Sequence, residues 1–161
     1  MNSRYARLII ISIAGVIADQ ITKIYIDGSM RLYDSIRVFE NFFHVTYVRN
    51  KGAAFSFLSS ASWRLPFFIT VSIVAALVIL IAYRKLRDDQ KLAQVSLAMI
   101  FSGAVGNLID RVRIGEVIDF LDFHWYRHHW PAFNVADSLI CVGVLLLAAD
   151  MLLDEKRLRT S

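Results

Sequence analysis

The chain has 161 residues, 57% hydrophobic and 20% charged, with a mean hydropathy of +0.50 and a formal net charge of +4. A soluble domain averages about 45–50% apolar and about 25% charged. Here the apolar excess falls in long runs, which excludes a soluble domain, a disordered chain and a collagen-like repeat. Four spans of about 20 residues take roughly half the chain, leaving too little to bury the core of a separate extramembrane catalytic domain. A single cysteine, Cys141, excludes an internal disulfide framework and a cysteine-rich metal site. The basic residues form no stripe interleaved with aromatics, so no nucleic-acid partner is expected.

The first apolar run covers about residues 8–26 and is broken by Asp19 and Lys23. Arg4 and Arg7 before it resemble the start of a signal peptide, but no convincing A-x-A site follows. It is read as an uncleaved first span. The connection that follows alternates Ile36, Val38 and then Phe43, Val45, Tyr47 around Glu40-Asn41. Period-two spacing about a turn predicts a small β-hairpin, within an outer β element over about 35–58. Span two, about 66–83, carries no ionisable group before Tyr83 and starts at Pro66, a residue suited to a helix start. Span three, about 92–110, is rich in Ser, Ala and Gly, which lets neighbouring helices approach closely. Val117–Phe123 is a short extended or helical piece, and His124–Trp130 reads as an interfacial aromatic belt. The fourth span, about 133–153, is interrupted by Asp137.

The segments 1–7, 84–91 and 154–161 carry about nine basic residues in about 23 positions, against about eight in about 61 for the two longer connections. The positive-inside rule therefore puts both termini in the cytoplasm and the longer connections outside. The expected fold is a membrane all-α protein of four transmembrane helices with a small outer-face β-hairpin or sheet and an interfacial segment.

Ionisable groups inside spans cost about 2.5–3.5 kcal/mol each on insertion scales, and here they cluster. Asp19 and Lys23 lie roughly 17 Å and 23 Å along the first helix from Leu8, in its outer half. Asn107 and Asp110 end the third span, and Asp137 lies about one turn inside the fourth. All therefore reach one depth. Asp19 and Lys23 are spaced to neutralise each other on one helix face, or to orient a site or meet a lipid phosphate. Asn107, Asp110 and Arg111 fit a hydrogen-bonded helix end, and Asn50 with Gly52 fits a turn leaving the hairpin. Asp119 and Asp137 face each other across a tight connection, which suits either structural pairing or catalysis. Two carboxylates in contact cannot both ionise, so one serves as base and the other as acid against an amide carbonyl. A metal site from Asp122, His124, His128 and His129 competes, but a HExxH pattern is absent and the cluster lies among Trp and Tyr.

At these residues the chain resembles the lipoprotein signal peptidases (signal peptidase II), a family of bacterial intramembrane aspartic proteases. The resemblance covers nearly the whole chain. It rests on Asp19-Gln-Ile-Thr-Lys23, Asn50-Lys-Gly-Ala-Ala-Phe55, Gly103-Ala-Val-Gly-Asn-Leu-Ile-Asp-Arg111, Val117-Ile-Asp-Phe120 and Phe133-Asn-Val-Ala-Asp137, in that order. It implies that Asp119 and Asp137 are the catalytic pair. It implies that Asp19, Lys23, Asn50, Gly52, Asn107, Asp110, Arg111 and Asn134 support the site or the substrate. It further implies a single protease domain over 1–161 in the bacterial cytoplasmic (inner) membrane, with its active site near the outer leaflet. That domain would cleave prolipoproteins on the amino side of a diacylglyceryl-modified cysteine. Lipid-modified prolipoproteins and membrane lipids are the expected partners, a monomer the expected state, and no metal or organic cofactor is called for. A small proton-coupled transporter also uses intramembrane acids, but it would want polar groups along a path to both faces. A membrane scaffold has no need of an acid pair.

Overall fold

The computed structural model describes residues 3–52 and 62–160. The chain runs α1 (Ser3–Ser29), β1 (Ser35–Phe39), β2 (Phe43–Asn50), α2 (Arg64–Lys85), α3 (Lys91–Ile114), β3 (Val117–Trp125), β4 (His128–His129) and α4 (Val135–Thr160). All four helices are long and apolar enough to cross a membrane. They begin or end several residues beyond most of the apolar runs. A helix keeps its backbone groups paired through the interface, whereas hydropathy stops at the last apolar side chain.

Helix α3 is the centre of the bundle and packs against α1, α2 and α4. Its small residues make this possible. A Cβ on Gly103 would overlap the carbonyl oxygen of Ala136, and one on Gly106 would come within 2.6 Å of an Asp19 carboxylate oxygen. Gly115 ends α3 in the left-handed conformation at φ +74°, its N–H donating to the Arg111 carbonyl at 3.1 Å. At the other end of the bundle, Arg4 donates to the Leu86 carbonyl and the Tyr83 hydroxyl donates to the Arg4 carbonyl at 2.7 Å. These bonds tie the start of α1 to the turn between α2 and α3.

The strands form one antiparallel sheet in the order β1-β2-β3-β4. The hairpin turn falls where Glu40-Asn41 predicts it, with Asn41 at φ 57°. The part of the expected β element beyond Gly52, residues 53–58, lies outside the described residues. Val117–Phe123, extended or helical from sequence, is strand. It pairs with β2 through Val45↔Leu121, Val48↔Asp119 and Asn50↔Val117, with an irregularity between Val45 and Val48. Ile118 and Phe120 of β3 join Tyr47 of β2 and Ile26 of α1 in a small buried core. Tyr47 and Arg49 both donate to Asp27, fastening β2 to the end of α1. Of the expected aromatic belt over 124–130, Trp125, Tyr126 and Trp130 are exposed, whereas His124 is buried. Alternation along β3 puts His124 on the same face as Phe120.

Candidate active site

Three backbone features converge on one spot. The Phe133 carbonyl accepts from the N–H groups of Phe120 (3.0 Å) and Leu121 (2.8 Å), and the Phe133 N–H donates to Leu121 (3.1 Å). This bridge lays the chain before α4 against β3, so Asn134 meets Asp119. Asn134 then starts α4. Its Oδ1 accepts from the Asp137 N–H at 2.9 Å, while an Asp137 carboxylate oxygen accepts from the Asn134 N–H at 3.3 Å. That reciprocal arrangement is a capping box, with Asp where Glu is commoner. It fixes the Asp137 side chain at the positive end of the helix.

The Asn134 side-chain amide is also aimed the other way. Its Nδ2 donates to Asp119 Oδ1 at 2.7 Å and lies 3.2 Å from both Asn107 Oδ1 and the Ile118 carbonyl. One fully buried residue thus touches both Asp119 and Asp137. Asn107 Nδ2 donates to Asp137 Oδ1 at 2.7 Å, and Asn50 Nδ2 donates to Asp119 Oδ2 at 3.0 Å. Gly52, through its N–H, holds Asn50 Oδ1 at 2.9 Å. Each carboxylate therefore has an asparagine amide on both of its oxygens or beside them.

Behind this layer lies a buried ionic cluster. Lys23 Nζ sits 3.0 Å from Asp19 Oδ2, 3.0 Å from Asp110 Oδ2 and 2.9 Å from Asn107 Oδ1, and Lys23, Asp19 and Asp110 are wholly buried. The lysine cation dictates that Asn107 shows it an oxygen, which turns the Asn107 NH2 toward Asp137. Asp19 Oδ1 accepts the Ala136 N–H at 2.9 Å and Asp110 Oδ2 accepts the Ile118 N–H at 3.1 Å, so the same two acids pin α4 and β3. Arg111 stacks over the Phe68 ring at 5.3 Å and lies within electrostatic reach of Asp137, Asp119 and Asp110. Burial pushes the Asp119 carboxyl up to about 7, the neighbouring Asp137 charge adds to the rise, and the bonds from Asn50 and Asn134 oppose it.

All ten residues named from sequence gather here, on α1, β2 and the bend after it, β3, α3 and the start of α4. Gln20 belongs with them and was missed: its Nε2 reaches Asp19, Asp110 and the Gly106 carbonyl at 3.0–3.2 Å. Its place inside Asp19-Gln-Ile-Thr-Lys23 is the signal that would have found it. The histidines do not join this group, and His128 lies exposed at the sheet end. Ser138 donates to the Asn134 carbonyl at 2.9 Å, an ordinary helix back-bond rather than a nucleophile's contact.

A family model described as signal peptidase (SPase) II matches residues 11–153. The lipoprotein signal peptidase of Geobacter metallireducens is 62% identical over 98% of this chain and 97% of its own length. That of Geobacter sulfurreducens is 60% identical over 98% of each. Among solved structures, a bacterial membrane enzyme determined by the in meso method at 2.3 Å resolution superposes with a TM-score of 0.83 at 36% identity, covering 93% of this chain and 90% of that one.

Proposed function

The chain belongs to the signal peptidase II family of lipoprotein signal peptidases, and from that membership we propose that Asp119 and Asp137 are the pair that activates water. The observation that carries the proposal is Asn134, which bonds both acids at once. Lys23 lies between Asp19 and Asp110, and Arg111 lies within reach of Asp137 and Asp119; two neighbouring acids that cannot both ionise share one proton and one negative charge. The ionised member takes a proton from water as the water oxygen attacks the carbonyl carbon. The protonated member gives its proton to the carbonyl oxygen, so the intermediate is a neutral gem-diol. Its collapse breaks the C–N bond: the carboxyl that took the water's proton passes it to the leaving amine, and the other carboxylate regains its proton from a gem-diol hydroxyl, which restores the pair. The transporter considered from the acids alone gives way to this peptidase chemistry.

The substrate is a prolipoprotein, cut on the amino side of a cysteine that already carries diacylglycerol. The site lies at the outer leaflet, where that cysteine sits with its acyl chains in the bilayer. A scissile amide inside a regular helix is inaccessible, so the substrate unwinds there. The freed backbone then needs partners from the protein, because lipid offers none. β1 rests on the membrane: Ile36, Val38 and Phe39 are all exposed, an apolar edge suited to the interface.

The test is cleavage of a diacylglyceryl-modified precursor beside its unlipidated form. Asp119→Asn and Asp137→Asn each abolish cleavage of the lipidated precursor while the protein stays membrane-inserted, and the wild type ignores the unlipidated one. Turnover by either variant removes the dyad. Cleavage of both precursors removes the lipid requirement.

A further inference from the structure

We propose that His44, Asp122 and His124 form a binding site for a divalent transition metal ion, with zinc the ion that fits. Cross-strand pairing sets His44 of β2 opposite Asp122 of β3. His124 follows two residues along β3, so the strand period places it on the same face. One ring nitrogen from each histidine and one Asp122 oxygen all lie within 4.8 Å of one another. A tetrahedral zinc with bonds of about 2.0–2.1 Å needs ligand atoms about 3.3 Å apart. Side-chain rotation would have to close the remaining gap, about 1.5 Å at most.

The second observation is an orphan. His124 is only 7% exposed, and its Nδ1 is buried without a hydrogen-bond partner among the described residues. Buried ring nitrogens are satisfied as a rule. The surrounding groups are those that support a ligand set. Thr46 Oγ1 donates to Asp122 Oδ2 at 3.1 Å, and His129 Nδ1 lies 2.9 Å from Asp122 Oδ1. The His44 and His129 rings pack on His124 with centroids at 4.3 Å and 4.6 Å. Two imidazoles and a carboxylate suit a first-row divalent ion and disfavour magnesium or calcium, which prefer all-oxygen sets. Such an ion clamps β2 to β3 three residues along from Asp119. Its role is to hold the sheet; the chemistry proposed for Asp119 and Asp137 runs without it.

Full-length enzyme purified in detergent without a polyhistidine tag, stripped with EDTA and then freed of chelator, is titrated with Co2+. The expected result is saturable uptake of one cobalt per chain, with the visible absorption of a nitrogen- and oxygen-ligated ion, and displacement by zinc. His44→Ala and His124→Gln should each weaken uptake about 10-fold or more, while His128→Ala leaves it unchanged. Zinc should also raise the Tm of the wild type but not of His44→Ala, a comparison that stands even if His124→Gln fails to fold. Failure of the wild type to take up cobalt saturably, or equal uptake by His44→Ala, overturns the proposal and leaves a trapped water as the partner of His124.

Discussion

Replacing Asn134 separates two jobs held by one side chain. Asn134→Ala removes the helix cap on the Asp137 N–H, worth about 1 kcal/mol. It also removes the buried bond to the Asp119 carboxylate, worth about 1.5–3 kcal/mol, and the weaker contacts at 3.2 Å to Asn107 and Ile118. The loss comes to about 3–5 kcal/mol, a fall in Tm of about 10 °C for a chain of this size. Asn134→Ser keeps a capping oxygen but is too short to reach Asp119, so it recovers about 1 kcal/mol of that loss. The bond from Asn134 favours the ionised form of Asp119 and so lowers its pKa. Without the bond the carboxyl climbs further, and the basic limb of the activity profile moves to higher pH in both variants. The assays are thermal melting in detergent and cleavage of lipidated precursor from pH 5 to 9. A basic limb that stays in place while the melting temperature falls would refute the reasoning, since Asn134 would then be a helix cap and nothing more.

Wild-type turnover should fall as pH rises through about 7, where the pair loses its shared proton. A carboxyl held at about 7 in the fold and near 3.8 when unfolded lends most stability below about pH 4 and loses it as pH rises toward 7. That loss is of order 4 kcal/mol. Asp119→Asn escapes it, so its Tm relative to the wild type should rise from pH 5 to pH 8; a constant difference contradicts the raised pKa. Lys23→Met strands two buried carboxylates and should cost about 3–5 kcal/mol, read as lost folded yield or melting temperature; a wild-type melt contradicts it. Gly103→Val drives α4 away at Ala136, next to Asp137. A shift of about 1 Å should lower kcat about 100-fold, with membrane insertion retained; undiminished kcat would show that the crossing has room to spare.

The four spans were legible because lipid demands apolar length, and length survives in sequence. The shared depth of Asp19, Asn107, Asp110 and Asp137 was legible for the same reason, since helical rise converts residue number into depth. The sheet was only half visible. Residues 43–50 alternate clearly, but 117–123 mixes apolar residues with two acids, and its partner lies about 70 residues earlier, so neither the strand nor its register shows locally. Hence His124 read as part of an aromatic belt: nothing in 124–130 says that His44 arrives from β2. The capping box is written as Asn134-x-x-Asp137, but the same two residues are polar groups of the site, and that second role hides the helix start.

That helix start makes the reading frame of α4 part of the geometry proposed for catalysis. A single residue inserted between Asn134 and Asp137 would turn the carboxylate by about 100°, away from Asn107. Insertions or deletions in the 126–132 turn leave that count untouched and change only how the chain arrives at Phe133. Variation in length among proteins built this way should therefore gather in that turn and be excluded from the four residues that follow Phe133.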